Sequence, residues 1–303
     1  MRKIAKIIIP LIVLTLIGSM PLVKSDYQVS VGNTFIFDVE TSFFDLTFGT
    51  NQANAAGYKI AGHAFNPDTS VSVEVLDIES ESLLYNISAA GYSESKNASN
   101  ADTDALIEQS LFPLEIIQEL ATSEFNETKL EQERHYGILM KPFLNVLAGT
   151  WDLFKQVTED LAVNHTILGY TFESNLIVNA TYDDNGTIFV FEFYFGDKYI
   201  TTISTLASNI SINLDIEHNY QFAYVKSTGV MLGMRMKGTV DGNINETAFS
   251  FVYNYRTEQN GYDLPNFKFG GLPSWPFPGL TVVITFVSIA ILSSVVIISR
   301  KRK

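Results

Sequence analysis

The chain has 303 residues, no cysteine and a formal net charge of −13. Residues 26–279 contain all 33 acidic residues but only twelve basic ones, so this region carries −21. A surface this negative repels the phosphates of nucleic acid, which excludes a nucleic-acid-binding function. The absence of cysteine excludes a disulfide, a thiolate metal site and a cysteine nucleophile. Disulfides are usual in secreted eukaryotic domains, so their absence favours a microbial surface protein.

The first 25 residues have the layout of a secretion signal. Three basic residues precede an apolar run over residues 7–17, and small residues and Pro21 then interrupt it. We therefore predict a signal peptide over residues 1–25, with cleavage after Ser25. The alternative is an uncleaved anchor over residues 7–23, which has the minimum length for spanning a bilayer.

The C-terminal end predicts a membrane anchor. Residues 280–298 are 19 residues without a charge, long enough to reach about 28 Å as a helix, and residues 300–303 are all basic. We predict one transmembrane helix over residues 280–299, with the basic tail in the cytoplasm. Residues 262–279 are rich in proline and glycine and predict a short stalk. The protein is thus expected in the cell membrane as a single-pass protein, with its N-terminal domain outside.

Eight Asn-x-Ser/Thr sequons lie between the predicted signal and the predicted anchor, which exceeds the roughly three expected by chance from this composition. They predict N-glycosylation outside the cell. The acceptor residues are Asn86, Asn97, Asn126, Asn164, Asn179, Asn185, Asn209 and Asn245.

The residue pattern predicts one extracytoplasmic domain over residues 26–261. Strand-like alternation over residues 27–92 and 169–257 flanks a helical region over residues 104–163. Within that region we predict a helix from Asp104 to Glu124, interrupted at Pro113, and a second from Phe143 to Leu161. A polar stretch over residues 93–104 predicts a loop.

Turn residues separate the C-terminal strands and predict sequential hairpins. The turns are predicted at Asp183–Gly186, Ser227–Gly229 and Asp241–Asn243. Aromatic residues occupy alternate positions from Phe189 to Phe195 and from Phe249 to Tyr255. We therefore predict an α+β fold: a large curved antiparallel β-sheet, forming an open or half barrel, is packed by two or three central helices. One C-terminal transmembrane helix completes it.

No catalytic constellation stands out in the sequence, and we predict that the protein is not an enzyme. There is no Gly-x-Ser-x-Gly elbow and no zincin motif, and the four histidines are scattered. The acidic pair Asp183–Asp184 fits a turn. Two segments, Asn100–Asp104 and Asp241–Asn245, have alternating oxygen ligands but lack the glycine and glutamate of an EF-hand loop. We predict no cofactor, with calcium as the only weak candidate.

Two resemblances add expectations to these patterns. The Tyr27–Phe35 opening, the Thr150–Phe154 segment and the Pro278–Gly279–Leu280 end before a basic tail resemble the choice-of-anchor class of archaeal surface proteins. That resemblance implies that a sortase-like peptidase removes the helix and attaches a lipid, although Leu280 stands where that motif commonly has phenylalanine. The Tyr224–Leu232 hairpin resembles one in open-barrel lipoprotein carriers, which implies a hydrophobic groove for a lipid.

Three functional hypotheses follow from these observations. The first is a surface binding or structural module that contacts envelope proteins, glycans or neighbouring cells. The second is a tethered carrier or receptor for an apolar, lipid-like ligand, which would use the aromatic faces of Phe189–Phe195 and Phe249–Tyr255; the same faces are also expected in an ordinary core. The third is an envelope hydrolase with an unrecognised site. An open apolar cavity would favour the carrier, and a filled core would count against it.

Overall fold

The computed structural model describes residues 26–134, 141–147, 149–167, 170–172, 175–204 and 209–269. The predicted signal peptide, transmembrane helix and basic tail lie outside these residues, as do residues 270–279 of the predicted stalk. Within the described residues, no helix has both the length and the apolar character needed to cross a membrane.

The described residues form fourteen strands and four helices. The strands are β1 (Thr34–Phe48), β2 (Asn51–Ala56), β3 (Tyr58–Ile60), β4 (His63–Phe65), β5 (Ser70–Ile78), β6 (Ser82–Ala89), β7 (Tyr92–Ser99), β8 (Thr166–Ile167), β9 (Tyr170–Thr171), β10 (Leu176–Asp184), β11 (Ile188–Ser204), β12 (Asn209–Val225), β13 (Met231–Ile244) and β14 (Thr247–Gln259). The helices are α1 (Asp102–Gln109), α2 (Phe112–Thr122), α3 (Glu127–Arg134) and α4 (Thr150–Asn164).

Ten of these strands form one open antiparallel sheet. Its order is β10-β11-β12-β13-β14-β1-β5-β6-β7, and β2 pairs beside β1. Strands β10 to β14 follow one another as a meander, and β1, the first strand of the chain, pairs with the other side of β14. The β3–β4 and β8–β9 hairpins form two small separate sheets. The prediction of a β-rich chain with a large open antiparallel sheet and few helices is confirmed.

One face of the sheet, which we call the inner face, carries the aromatic side chains. Strict alternation along β11, β12 and β14 sends every second side chain to this face, and all of these rings are at most 4% exposed. They are Phe189, Phe191, Phe193, Phe195, Tyr220, Phe222, Tyr224, Phe249, Phe251, Tyr253 and Tyr255.

Helices α2 and α4 cover this inner face. The ring of Phe154 on α4 lies 4.9 Å from that of Phe222 and 5.5 Å from that of Phe191. On α2, the ring of Phe112 lies 5.2 Å from that of Tyr253, edge to face. These centroid distances are those of favourable aromatic pairs, so the helices and the sheet share one continuous core.

The helical region differs in detail from its prediction. The break at Pro113 is confirmed, because Pro113 lies in the first turn of α2 after the end of α1. The second helix begins at Thr150 rather than at Phe143. The described residues 141–147 are not helical: Phe143 bridges Val230, and the backbone N–H of Leu144 donates to the carbonyl of Gly229. These long-range bonds tie the segment to the start of β13 and hold it in a non-helical conformation. Helix α3 lies within the helical region predicted over residues 104–163, although no separate helix is predicted there.

Two segments predicted to be turn or loop are strands. The polar stretch after residue 92 forms β7, because its backbone pairs with β6 from Ala89↔Tyr92 to Ser82↔Ser99. The predicted turn at Asp241–Asn243 lies inside β13, and the chain reverses instead at Asn245 and Glu246, which both have positive φ angles. The predicted hairpin turns near Asn185 and Thr228 are present.

The hairpin between β10 and β11 is held at its turn by an ion-pair cluster. The carboxylate of Asp184 lies 2.7 Å from Nζ of Lys226 and 3.2 Å from Nζ of Lys155, and it accepts the backbone N–H of Gly186. The bond to Lys226, helped by those to Gly186 and Lys155, lowers the pKa of Asp184 from 3.8 to about 2.

The aromatic core gives a first prediction. Phe154→Ala should lower the free energy of unfolding by about 3–5 kcal/mol, because it removes a fully buried ring and leaves a cavity. Urea unfolding followed by circular dichroism measures this loss. Val163→Ala is the matched control on the same helix, where the side chain is 76% exposed, and it should change the free energy by less than about 0.5 kcal/mol. Equal effects of the two substitutions would contradict this packing.

The Asp184 cluster gives a second prediction, with a defined pH dependence. Because the folded-state pKa is lowered, the carboxylate stabilises the fold above the unfolded pKa of 3.8, and this contribution disappears as the pH falls towards 2. Asp184→Asn should therefore cost about 1 kcal/mol near pH 7, and the difference from wild type should close between pH 4 and pH 2. Urea unfolding over this pH range measures it. As a control, Asp183→Asn at the exposed neighbouring position should change the free energy of unfolding by less than about 0.5 kcal/mol near pH 7.

Candidate functional site

The outer face of the sheet is crossed by the segment that leads towards the predicted anchor. We call this segment, residues 262–269, the strap. It leaves the end of β14 and passes over β13 and β12 to reach β11, so it covers four adjacent strands. These residues belong to the predicted stalk, but the structure places them against the domain, over a set of buried polar side chains.

The strap begins at a small apolar contact and a buried carboxylate. Leu264 is 5% exposed and packs with Ala223 and Leu232 on the outer face. Its backbone N–H donates to Glu258, 2.7 Å away, and this glutamate is only 3% exposed. Gly233 leaves the space that this contact needs, because a Cβ there would lie 3.0 Å from Cγ of Leu264.

The far end of the strap is held by a second buried carboxylate. Glu192, on β11, is 1% exposed. Its oxygens accept the backbone N–H groups of Lys268 at 2.7 Å and Phe269 at 2.8 Å, and the side-chain amide of Gln221 at 3.2 Å. Hydrogen bonds to a charged acceptor are the strong class, so Glu192 and Glu258 fix both ends of the strap.

Cations occupy the outer face between the two glutamates. Arg235 and Arg256 are direct cross-strand partners, an arrangement that is unfavourable for two like charges unless anions lie nearby. Arg256 has two such anions as partners, because its guanidinium lies 2.9 Å from the carboxylate of Glu258 and 3.0 Å from that of Glu40. Arg235 donates to the carbonyl of Pro265 on the strap.

The ring of Phe267 on the strap lies over these cations. The guanidinium carbon of Arg235 is 3.7 Å from the ring centroid, and Nζ of Lys237 is 5.4 Å from it. Burial, followed by the charge of Arg256, lowers the pKa of Arg235 to about 10, so Arg235 remains charged at neutral pH. Burial, followed by the charge of Arg235, also lowers the pKa of Lys237.

A pocket of about 210 Å³ opens beside the strap, among β13, β14 and β1. We call it the cation pocket, because three of its seven lining residues are basic. The lining residues are Glu40, Thr41, Arg235, Lys237, Asn254, Arg256 and Phe267. Its lining has three basic side chains against one acidic side chain, Glu40, on a domain that is otherwise strongly acidic.

The sequons occupy exposed or half-exposed positions. Asn86 on β6 and Asn179 on β10 are half-exposed, and the remaining six acceptors are exposed: Asn97, Asn126, Asn164, Asn185, Asn209 and Asn245. Asn86 also lines an outer-face groove of about 370 Å³ next to Tyr92. No steric barrier to an attached glycan is therefore evident at these positions.

The three histidines in the part of the chain that the structure describes are not brought together. His63 stacks on Tyr92, His165 ends α4, and His135 lies outside the described residues. His218 is fully buried, and Nδ1 lies 2.5 Å from the hydroxyl of Tyr253. Burial lowers its pKa to about 3 against the effect of a bond with the Ser110 backbone, so its ring is neutral.

Neither the acidic segments nor the aromatic faces form an open site. Asn100–Asp104 runs into α1, where Asp102 pairs with Lys141, and Asp241–Asn245 spans a strand end. Within the described ranges, no three His, Asp or Glu side chains group as metal ligands. The faces of Phe189–Phe195 and Phe249–Tyr255 are packed by α4 and α2 as core.

The strap site was missed from the sequence, although one signal was available. Glu192 is the only charged residue in the run Ile188–Gly196, where its neighbours are apolar or aromatic. An isolated carboxylate in a strand that is apolar on both faces predicts a buried partner, because an unpaired buried charge is costly. Comparison with known proteins adds no candidate: no protein-family model matches the chain, and no curated protein matches it.

The strap gives a third prediction. Glu192→Gln should expose the strap, because the new amide replaces one acceptor oxygen with a donor that faces two backbone N–H groups. Losing a charged acceptor costs about 1.5–3 kcal/mol, so trypsin should cleave after Lys268 roughly ten to a hundred times faster. Mass spectrometry of the fragments measures this rate. Glu74→Gln, at an exposed outer position on β5, is the control and should leave the rate unchanged. Equal rates in both variants would show that Glu192 does not hold the strap.

Proposed function

We propose that this chain is a membrane-anchored, glycosylated surface module with a binding or structural role in the cell envelope. The observation that carries the proposal is the strap. A segment that merely linked a domain to an anchor would need no buried contacts, yet Glu192 and Glu258 fasten these residues to the sheet.

The strap supports a domain whose position relative to its anchor is restricted, because only a short linker remains between the two. Ten residues, 270–279, separate the end of the strap from the predicted transmembrane helix. Fully extended, they reach at most about 35 Å, so the domain stays close to the bilayer. Fixing the strap removes eight further residues from the freely jointed part of the linker, which restricts the positions that the domain can occupy.

The cation pocket supports a binding role for the outer face. Three basic residues and one acidic residue, Glu40, line the pocket on a region with a formal charge of −21, so we expect it to repel an acidic group less than the surrounding acidic surface does. The packed inner face supports the module over the alternative of a tethered lipid carrier. An apolar ligand would have to displace the rings of Phe112 or Phe154 from the core.

Protease treatment of intact cells tests the proposal. With an epitope tag after Lys303, external protease should remove the domain while the tag stays protected until the membrane is permeabilised. Chemical deglycosylation should lower the apparent mass of the domain. A domain protected in intact cells would overturn the proposal. Loss of the tag from a mature protein that remains at the surface would instead indicate a processed, lipid-bearing C-terminus, with the module still outside.

A further inference from the structure

A second opening lies on the outer face of the sheet, away from the strap. This groove of about 370 Å³ is formed by β1, β5, β6, β7 and the turn between β6 and β7. Its volume is within the range of about 300–1,000 Å³ that sites for small ligands have. We call it the serine groove, because four of its ten lining residues are serine. The lining residues are Ile36, Ser70, Ser72, Asn86, Ser88, Ala89, Ala90, Gly91, Tyr92 and Ser93.

The lining of the serine groove is polar but contains no charged residue, although the region around it carries −21. Serine hydroxyls both donate and accept hydrogen bonds, as the hydroxyls of a sugar do. Ile36 and Tyr92 add apolar surface, since their side chains are 38% and 43% exposed, and covering it with the C–H face of a sugar ring is favourable. A charged ligand would leave its charge without a partner in this groove. The lining therefore suits a neutral sugar.

One predicted glycosylation acceptor, Asn86, is itself part of this lining. The next outer-face residue on its strand is Ser88, which is opposite Ser72 on β5 and opposite Ser93 on β7. A row of three serines thus crosses three strands beside Asn86. The short side chains at these positions leave space next to the acceptor.

The backbone holds Asn86 at a fixed distance from this row. Strand β6 pairs with β5 on one side and with β7 on the other. Residues two apart on a strand are about 6.6 Å apart, so the row of serines begins about 7 Å from Asn86. A glycan attached to Asn86 therefore starts beside the groove, and its first sugars reach the serines without a change in the backbone.

Covalent attachment favours this glycan over a free sugar as the occupant of the groove. A short flexible tether gives an effective concentration of about millimolar, so even a weak contact between sugar and groove is populated. Among the eight acceptors, only Asn86 lines the serine groove or the cation pocket. The other seven have no such surface from these two openings.

We propose that the serine groove binds the first neutral sugars of an N-glycan on Asn86, so that this glycan becomes part of the folded structure. This proposal rests on the proposed function, because it needs the domain outside the cell. Serine hydroxyls exchange hydrogen bonds with the sugar, and the exposed parts of Ile36 and Tyr92 are covered. The docked glycan stabilises the fold, since a group that binds only the folded state shifts the folding equilibrium towards it.

Enzymatic release of the glycans from the folded protein tests the proposal. The full-length protein is produced in a eukaryotic glycosylating host, and mass spectrometry of glycopeptides first measures occupancy at each sequon. A peptide N-glycosidase is then added to the folded protein in mild detergent, and the loss of each glycan is followed over time. The matched reference is Asn97, which is exposed on the outer face of the neighbouring strand β7 and does not line the groove.

We expect the glycan on Asn86 to be released about ten times more slowly than that on Asn97. A glycan that is docked nine-tenths of the time is accessible to the enzyme about one-tenth as often. After unfolding in urea, the two glycans should be released at similar rates, because the groove no longer exists.

Filling the groove separates docking from the mere position of Asn86 within a strand. Ser72→Gln and Ser93→Gln each put a longer side chain into the row of serines, so each should raise the release rate at Asn86 towards that at Asn97. Thr202→Gln, at an exposed position on β11, is the control and should leave the release slow. Ser93 is exposed, so its variant should keep the fold even if the variant at half-exposed Ser72 does not.

Thermal unfolding gives an independent measurement. Asn86→Gln should lower the melting temperature of the glycosylated protein by about 3–6 °C, the shift that tenfold docking produces in a domain of this size. The same substitution should not change the melting temperature of unglycosylated protein from a bacterial host. Asn97→Gln should have no effect in either preparation.

Four results would overturn the groove proposal: a vacant sequon at Asn86, equal release rates at Asn86 and Asn97 in the folded protein, slow release that persists in both groove-filling variants, or an unchanged melting temperature in glycosylated Asn86→Gln. The fate of the proposed function is separate from these results. A domain outside the cell with a freely released glycan on Asn86 contradicts only the groove proposal, whereas a domain inside the cell contradicts both.

Discussion

The covering of the aromatic inner face is the constraint on which the rest of this structure depends. An aromatic side chain buries about 150–250 Å², which corresponds to an upper estimate of about 4–6 kcal/mol for each ring. The exposed ion pairs of this domain contribute about 1 kcal/mol or less each. Eleven rings lie on β11, β12 and β14, so the position of α2 and α4 is decided by aromatic packing and not by charge. The inner face is therefore buried in the core, and the surface that the sheet leaves for contacts with other molecules is on its outer face and edges.

The outer face follows a different rule, because its buried groups are charged. A carboxylate removed from water costs several kcal/mol unless charged or hydrogen-bonding partners replace the water. Glu192 obtains such partners from the backbone of Lys268 and Phe269, and Glu258 from Leu264 and Arg256. When the strap leaves, water can solvate both carboxylates again, so the net stability of docking is smaller than the number of hydrogen bonds indicates. A pull on the chain from the C-terminal side of Phe269 would load the bonds to Glu192 first and those to Glu258 afterwards.

The parts of the fold that follow from local pattern could be predicted, and the parts that depend on distant partners could not. Alternation from Phe189 to Phe195 identified an inner face, and Pro113 identified a helix boundary, because both signals lie within one element. The non-helical segment at Phe143 could not be read from its helical spacing, since its partner Val230 is far along the chain. The same holds for the strap, which looks like a linker because proline and glycine follow it, while the residue that holds it is Glu192.

The same reasoning explains why the sequence of β7 predicts a loop. Its sequence, Tyr92 to Ser99, is polar on both faces, so it has no alternation to reveal a strand, and only its pairing with β6 makes it one. A polar strand of this kind is suited to an edge, where one side meets solvent. The polar composition of β7 therefore explains both why its sequence does not predict a strand and why the strand can lie at the end of an open sheet.

Taken in order across the sheet, the outer face is divided into zones with different chemistry. The strap covers β11 to β14, and sequons lie on β10 on one side, on β6 and β7 on the other, and at Asn209, the first residue of β12. The strands β13, β14 and β1 that border the cation pocket contain no sequon, although Asn245 lies in the β13–β14 turn. Under the proposed glycosylation, sugars would crowd the sides and leave this central zone accessible. The cation pocket lies in this central zone, so the place where basic side chains gather on the outer face would also be a place that the proposed glycans leave accessible.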